Sequence, residues 1–353
     1  YGPTKLRYPL HGDHGVAEFD DLCLRTAQNH AWSFKHDDQY TFLRDVFVRD
    51  CQRDMEQPYT RSRYCHLFLN GLYWGLYQTQ EHSEASYAAS YFGGSASDYD
   101  VVKAAGFSGR NQIEATDGDL EMWTEIWKLC NAIAASKDAD ERSSLYQKLQ
   151  GQRPHGADDR NAPRLLDIDN LIDYMILNFY VGNLDGPIPA WSGNRITRNW
   201  FSIGDRKGIL GFQFFHHDSE KSMESVDVDR TGPYQAGAEL GFSNPQWFHQ
   251  QLTAVQAYRE RFAKRAYEVL ENDGPLSPAA SIARLRRRIT ELENAVVAEA
   301  ARWGRTGPPY KKKDWDAAVE NLLDIVKNRT SPVIAQLRQA KRYEFGIPGN
   351  DLI

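Results

Sequence analysis

Three side chains that carry oxygen ligands, Asp185, Asn199 and Asp218, lie in predicted loops near the middle of the chain. Asn199 directly precedes a predicted hairpin over residues 200–215, and Asp218 follows it. Because the strands of a hairpin are antiparallel, the start of the first strand lies beside the end of the second. Folding the hairpin therefore brings an amide oxygen and a carboxylate together, and such ligands suit Mg²⁺ carried with the phosphates of a nucleotide.

Asp185 is predicted on a loop just past a buried helix. Residues 171–181 are apolar and favour a helix, and Gly182 with the turn-rich residues after it would end that helix. The order Asp, Asn, hairpin, Asp is also that of the catalytic and metal-binding residues of protein kinases. Asp185 and Asn199 are farther apart than in the standard kinase loop, however, and Asp-Phe-Gly does not occur.

Two runs of residues are distinctive: Asn-Gly-Leu-Tyr-Trp-Gly-Leu-Tyr at 70–77 and Phe-Phe-His-His-Asp-Ser-Glu at 214–220. The matching segments, in order over most of the chain, are residues 1–10, 39–45, 66–77 with Glu81, 182–185, 199–201 and 211–220. Through these segments the chain resembles the CotH kinase family, bacterial and archaeal kinase-like proteins first met in spore coats.

The resemblance implies an atypical protein-kinase-like fold and ATP-dependent phosphorylation of Ser or Thr in a protein or peptide. It also implies that Asp185 is the catalytic carboxylate and that Asp218 is a metal ligand. A secreted or cell-surface setting is a further implication of the family.

The mechanism predicted for such a site is in-line phosphoryl transfer, which depends mostly on positioning and charge neutralisation. Asp185 would orient a Ser or Thr hydroxyl and accept its proton. Asn199 and Asp218 would hold Mg²⁺ (or Mn²⁺) against the phosphates of ATP. Asn194, in the segment between Asp185 and Asn199, is an alternative metal ligand.

Lys5 is a candidate for contact with the nucleotide. In a predicted strand over residues 4–10, Lys5 and Arg7 alternate with apolar residues and would share one face. One of these cations could contact the phosphates of ATP, or both could lie on a solvated face. The family has further Lys and Arg residues on a strand just before this point, which this chain lacks.

Arg44 and Glu81 are the other candidates on the nucleotide side. Arg44 stands at the start of a helix predicted over residues 45–55, where it could face the phosphates or form a buried ion pair with a carboxylate. Glu81 follows a hairpin predicted around Asn70-Gly71, a strong signal for a two-residue turn. Glu81 could pair with a phosphate-binding cation, contact the nucleotide or lie on the surface.

The composition bounds the possible functions. The chain has 353 residues, of which 25% are charged and 41% hydrophobic, as in a globular protein with an ample core. A formal net charge of -6 argues against a nucleic-acid-binding protein. No run is long and apolar enough to span a membrane. Because Tyr1 already lies in family-like sequence, a fragment or processed product is expected. The oligomeric state is left open.

The pattern of elements predicts an α+β fold with two lobes. Residues 1–105 are expected to form a β-rich N-terminal lobe, truncated upstream, and residues 106–353 a mainly helical C-terminal lobe that carries the catalytic and metal-binding loops. The segment 106–118 is rich in Gly, Ser, Asn and Asp and is interpreted as the connection between the lobes. The four cysteines lack Cys-x-x-Cys spacing and are expected as buried free thiols, although one disulfide stays possible.

Several alternative functions stay open at this point. A pseudokinase or structural surface protein would use the fold only to bind a nucleotide or a partner. Asp185 and Asp218 could instead serve as the carboxylate pair of a glycoside hydrolase, or the phosphate acceptor could be a small molecule. A zinc site at His216 and His217 is disfavoured, because adjacent residues of an extended segment point to opposite faces.

Overall fold

The computed structural model describes residues 4–33, 39–106, 112–153, 162–304 and 310–339. Within them the chain has a mixed α+β fold with antiparallel sheets, which confirms the predicted fold class. The elements up to residue 117 are β1 (Leu6–Arg7), β2 (Glu18–Phe19), β3 (Leu22–Arg25), α1 (Arg44–Asp54), β4 (Ser62–Leu69), β5 (Leu72–Glu81), α2 (Ala85–Phe92), β6 (Tyr99–Ala104) and β7 (Ile113–Asp117).

Helices dominate the rest of the described chain. Its elements are α3 (Glu121–Ala135), α4 (Ala139–Leu149), α5 (Ile168–Val181), β8 (Trp200–Asp205), β9 (Gln213–His216), α6 (Pro245–Leu252), α7 (Gln256–Leu270), α8 (Pro278–Leu292), α9 (Val296–Trp303), α10 (Lys312–Asn328) and α11 (Thr330–Leu337). One continuous hydrophobic core runs from α1 through α3 and α5 to α10. No helix of the described segments combines the length and the apolar character that a membrane crossing requires.

The hairpin of β4 and β5 forms the first sheet together with β3, in the order β3-β5-β4. Its turn residues Asn70 and Gly71 have positive φ angles of 51° and 79°, as a type I′ turn requires. The predicted turn is therefore confirmed. β3 pairs with the other edge of β5, and this register places Arg25 opposite Gln78.

The second sheet has the order β7-β6-β8-β9 and contains the hairpin between Asn199 and Asp218. The interpretation of residues 106–118 as a plain connection is wrong, because β7 lies inside this segment and pairs with β6. The proposed boundary between residues 105 and 106 therefore falls between two paired strands of one sheet. The division into two lobes stays a prediction.

The hairpin of β8 and β9 is confirmed, with a longer loop than expected. β8 ends at Asp205 and β9 begins only at Gln213. The Asp205 carboxylate explains the difference, because it accepts hydrogen bonds from the backbone N–H groups of Lys207 (2.9 Å) and Ile209 (3.1 Å). These groups therefore do not need a partner strand.

Helix α5 is the buried helix predicted before Asp185. The Asp167 side chain caps its start by accepting a hydrogen bond from the N–H of Asn170 at 3.1 Å. Gly182 ends the helix in the left-handed conformation, with φ of 60°, which glycine adopts without steric cost. The chain then turns sharply away from the core toward Asp185.

A buried arginine fixes the end of α5. The guanidinium of Arg329, which is fully buried, donates hydrogen bonds to the carbonyls of Phe179 (2.7 Å) and Tyr180 (2.7 Å) at the last turn of α5. It also donates to the carbonyls of Val228 (2.6 Å) and Val226. Arg329 thus joins the end of α5 to the segment 226–228 and satisfies carbonyls that the helix itself leaves without a partner.

Replacing Arg329 by lysine is expected to destabilise the protein by about 3 kcal/mol. A compact ammonium keeps the charge but cannot reach four carbonyls in two directions, so buried acceptors are left unpaired. Chemical denaturation of R329K measures the loss. The exposed Arg338 offers a matched control, R338K, and equal stability of the two variants would contradict the assigned role.

A buried glutamate joins α9 to the first sheet. The Glu299 side chain accepts a hydrogen bond from the N–H of Leu76 on β5 at 2.7 Å. Nearby on the same strand, Trp74 is not paired with any residue of β4. Trp303 of the same helix donates to the carbonyl of Trp74 at 2.8 Å. Burial raises the pKa of Glu299 to about 7, against an opposing effect of the Leu76 N–H.

The raised pKa of Glu299 predicts a pH dependence of stability. In the unfolded chain the Glu299 carboxyl has its ordinary pKa of 4.5 and loses its proton near that pH. In the folded protein it loses the proton only at a pH of about 7. The stabilising contribution is therefore complete below about pH 4.5 and is lost as the pH rises through 7. The E299Q variant keeps an oxygen that can accept the hydrogen bond from Leu76 but has no carboxyl proton to lose. Its free energy of unfolding should therefore decrease less between pH 5 and 8 than that of the wild type.

Denaturant unfolding at several pH values measures this slope. E320Q is the control, because Glu320 is an exposed residue of α10 and should leave the slope unchanged. Identical slopes for E299Q and the wild type would show that Glu299 does not titrate in this window.

Candidate active site

Asp185 and Asn199 are in direct contact. The Asn199 side-chain amide donates to the Asp185 carboxylate oxygen Oδ2 at 3.0 Å and to the Asp185 carbonyl at 2.9 Å. Trp191 donates to the other carboxylate oxygen. Asn199 has a positive φ of 52°, a conformation that asparagine tolerates better than most residues. The structure therefore brings together two of the three residues predicted for the centre of the site.

The environment of Asp185 favours retention of its proton. Its carboxylate is half-buried, and this burial is the main cause that raises its pKa above the ordinary value. The Asp218 charge acts in the same direction, whereas Trp191, Arg198 and Asn199 oppose it. A carboxylate of raised pKa is a better proton acceptor than an ordinary surface Asp.

Asp218 lies on a loop that is tied to the Asp185 loop. The N–H of Leu184 donates to the carbonyl of Lys221 at 2.9 Å, so the residues next to both carboxylates share a backbone hydrogen bond. Asp218 itself has a positive φ of 51°. The N–H of Ser219 donates to the buried Asp45 of α1 at 2.8 Å, which fixes the loop from the opposite side.

Arg25 is the cation at this site, and the sequence analysis did not identify it. Its guanidinium forms ion pairs with Asp218 and, at 3.5 Å, with Glu220. Its other terminal nitrogen lies 3.4 Å from Nε2 of His217. Arg25 stands at the end of β3, and the pairing of β3 with the distant strand β5 is not visible in the local sequence.

Three carboxyl groups lie around Arg25, and Arg49 compensates the charge of one of them, Asp45. Burial alone would lower the pKa of Arg25, yet the carboxylates of Asp45, Asp218 and Glu220 raise it. Burial, with Asp218 as the second cause, raises the pKa of Glu220 to about 8. Burial would raise the pKa of Asp45, but the charges of Arg49 and Arg25 outweigh this effect and hold that pKa well below its usual range. Three carboxyl groups thus converge on one guanidinium, an arrangement that a further cation would complement.

The donor set suits a hard cation bound together with phosphates. Asn199 and Asp218 offer an amide oxygen and a carboxylate, which are ligands that Mg²⁺ accepts when phosphate oxygens supply the others. No group of three or more His, Cys, Asp or Glu residues with the geometry of a metal site occurs in the described segments. An all-protein metal cage is therefore not what this part of the chain forms.

A cleft of about 120 Å³ opens beside these residues. Its lining includes Asn199, His217 and the cations Lys103 and Arg198. Lys103 of β6 pairs with Glu114 at 3.2 Å and lies 5.4 Å from the centre of the Phe201 ring. Burial is the main cause that lowers the pKa of His217 to about 4, so this imidazole is neutral near pH 7. The cleft thus combines an aromatic wall with cations, which complements an anionic ligand.

The structure places Lys5 away from these contacts. Lys5 precedes β1 and pairs with Glu18 (3.0 Å) and Asp20 (3.3 Å) on and after β2. The Lys5 side chain is 43% exposed, and its partners belong to the small sheet of β1 and β2. Its nucleotide contact stays a prediction that these ion pairs do not support.

Glu81 is buried at the end of β5 and is engaged elsewhere. It accepts hydrogen bonds from the Arg61 backbone (2.8 Å) and from Tyr91, and it pairs with the Arg61 guanidinium at 3.1 Å. Pairing with a cation was one of the expected arrangements, but Arg61 does not line the cleft beside Asn199. A direct contact of Glu81 with a nucleotide stays a prediction.

Arg44 is buried at the start of α1. It donates to the Gln39 carbonyl at 2.8 Å and to the Thr41 hydroxyl at 3.2 Å. With Asp45 and Glu220 it lines a narrow cavity of about 20 Å³.

Asn194, the alternative metal ligand, is engaged elsewhere, because its side-chain oxygen accepts a hydrogen bond from Arg230 at 2.9 Å.

Removing the Arg25 guanidinium is expected to destabilise the folded protein by about 3 kcal/mol, because the Asp218 carboxylate would then lose its ion-pair partner. R25A, measured by chemical denaturation without metal, tests this expectation. The matched control is R7A, since Arg7 pairs with Glu18 but is 80% exposed, and such surface pairs contribute little. Equal stabilities of R25A and R7A would refute the assigned role of Arg25.

Comparison with protein families gives a match over most of the chain. The family model described as CotH kinase protein matches residues 17–333 of the chain. This range runs from β2 into the first turn of α11 and includes Asp185, Asn199 and Asp218, and it covers far more than half of the sequence. A search among curated proteins finds no match. With its family model matched over nearly the whole described structure, the chain belongs to the CotH kinase family.

Proposed function

We propose that the protein is an ATP-dependent kinase that transfers the γ-phosphate to Ser or Thr of a protein or peptide. Membership of a kinase-like family supports a phosphotransferase. The observation that carries the proposal is the contact of Asn199 with Asp185 at 3.0 Å, on a loop that shares a backbone hydrogen bond with the Asp218 loop. These contacts support a site in which a proton acceptor lies near two oxygen ligands, as phosphoryl transfer requires.

Asp185 would act as the catalytic carboxylate. Trp191 and Asn199 fix its two carboxylate oxygens by hydrogen bonds, so the group is oriented before a substrate binds. The acceptor hydroxyl attacks the γ-phosphorus, its proton passes to Asp185, and ADP leaves with the electrons of the broken P–O bond. Mg²⁺ or Mn²⁺ held by Asn199 and Asp218 would neutralise charge on the phosphates of ATP.

Arg25 is the cation best placed to contact the phosphates. It already binds the carboxylates of the metal-binding loop, and a guanidinium matches phosphate oxygens in a bidentate manner. Lys103 and Arg198 of the adjacent cleft would add positive charge. Lys5, Arg44 and Glu81 stay predictions for the nucleotide side and have less support from their contacts.

A second candidate is a kinase-like protein that binds without transfer. The observation that favours it is the ion pair of Arg25 with both Asp218 and Glu220, because a guanidinium that stays in place would keep a metal ion from the same oxygens. Such a protein would bind a nucleotide without metal, or a partner alone. For either candidate, the family resemblance favours a secreted or cell-surface setting.

Nucleotide binding is tested by the thermal shift of the protein with ATP, with Mg²⁺ or Mn²⁺, and with both. A ligand that binds only the folded state raises the melting temperature by mass action. We expect the largest rise with ATP and metal together, its loss in D218A and its retention in D185N. D169N is the control, because Asp169 is a surface residue that is 64% exposed.

Phosphate transfer to Ser and Thr peptides then separates the two candidates. D185N should lower the rate by about 10²-fold or more, as is typical of a lost general base, while D169N leaves it unchanged. Wild-type transfer by D185N would disprove the assignment of Asp185. A nucleotide-dependent shift that needs no metal, with no transfer to any acceptor, would establish the binding-only candidate.

A further inference from the structure

A second cavity, of about 320 Å³, lies behind α1. It opens between the start of β4, the end of α1, α8 and the residues around the 3₁₀ turn Gly12–His14. It shares no lining residue with the cleft beside Asn199. The proposed kinase reaction gives this cavity no role, and its size lies in the range of small-ligand sites.

The lining of this cavity is strongly cationic. Four arginines and two histidines line it, and Asp50 is the lining residue with a carboxylate. These basic residues are Arg53, Arg61, Arg63, Arg288, His11 and His14. Burial lowers the pKa of His11, so the arginines supply the positive charge. The chain as a whole has a net charge of -6, so this concentration of positive charge is a local feature.

The carboxylate of Asp50 holds two of the guanidinium groups in place. Asp50 is 4% exposed and binds Arg288 through two contacts, at 2.7 and 2.9 Å. It also pairs with Arg53 at 3.2 Å. Because the carboxylate is buried, it fixes the positions of both arginines. The third nitrogen of Arg288, Nη1, donates to Glu291 at 2.9 Å, so Arg288 contributes positive charge rather than spare donors. Fixed donors bind an anion with a smaller loss of entropy than mobile surface lysines.

Arg61, just before β4, and Arg63, on β4, also line the cavity. The Arg61 guanidinium lies 4.7 Å from the ring centre of Tyr59 and 4.1 Å from that of Tyr91, which fixes its plane. Arg63 makes no ion pair with any residue of the described segments and has one long contact, 3.4 Å to the Leu10 carbonyl. It is exposed and keeps donors for a ligand.

His11 adds an independent sign of a missing partner. Its Nε2 atom is buried and forms no hydrogen bond within the described part of the chain. Buried polar atoms nearly always have a partner, and an exception calls for a bound molecule or another explanation.

We propose that this cavity is a binding site for a phosphate monoester dianion. The guanidinium group presents paired N–H donors that match two phosphate oxygens at once, and the guanidinium groups of Arg53, Arg61 and Arg63 line the space that one dianion would fill. A volume of about 320 Å³ accommodates the phosphate with a small organic group, such as a phosphorylated side chain or a small phosphorylated molecule. The inference does not depend on the proposed kinase activity.

Titration calorimetry with O-phospho-L-serine and with inorganic phosphate tests the site, in low-salt buffer with EDTA so that no metal is present. Saturable binding with a stoichiometry near one is expected, weakened by salt as for any charge-dominated contact. R63Q should weaken binding about tenfold, the effect of losing one strong charged hydrogen bond. R63Q removes only the 3.4 Å contact from the fold, and circular dichroism checks that it folds.

R286Q is the matched control, because Arg286 is an exposed residue of α8 that does not line the cavity. D218A removes a carboxylate of the active site and should bind phosphoserine as the wild type does. Tighter binding of phosphoserine than of inorganic phosphate would show that the organic group is recognised too, and equal binding would show a site for the phosphate alone. No saturable binding, or equal weakening by R63Q and R286Q, would overturn the proposal.

Discussion

The cluster of carboxylates around Arg25 is the interaction on which the arrangement of the active site depends. Asp218 and Glu220 come from the loop after β9, Arg25 from β3 and Asp45 from α1. Charged groups removed from water are stable only when each has a partner. The first sheet, α1 and the loop of Asp218 therefore cannot separate without leaving a charged group unpaired.

Arg49 extends this cluster into the first sheet. It pairs with Asp45 at 2.9 Å and donates to the Thr60 carbonyl at 3.1 Å, while the other carboxylate oxygen of Asp45 accepts from Ser219. A contiguous set of polar contacts thus runs from the start of β4 through α1 to the residue after Asp218. The same strand start forms a wall of the cationic cavity behind α1. A buried network of this kind is rigid when it is fully paired.

Local patterns predicted the parts of the site that depend on local geometry. The apolar residues 171–181 and Gly182 located the end of α5, and the antiparallel hairpin placed Asn199 near Asp218, because periodicity and turn chemistry determine such features. Arg25 was not predicted, because its contact with Asp218 depends on the pairing of β3 with β5, which is far along the chain. The alternation around Lys5 predicted that Lys5 and Arg7 share one face, but it could not show that Glu18 and Asp20 would pair with Lys5.

The position of Arg25 constrains how the proposed site could take up its ligands. Asp218 has the Arg25 guanidinium on one of its oxygens, so a metal ion that binds alone must either share the carboxylate or leave the guanidinium unpaired. The phosphates of a nucleotide remove this conflict, since they offer Arg25 new oxygens and supply the remaining ligands of the metal. Metal and nucleotide should therefore favour each other's binding, because each resolves a charge that the other would leave unpaired.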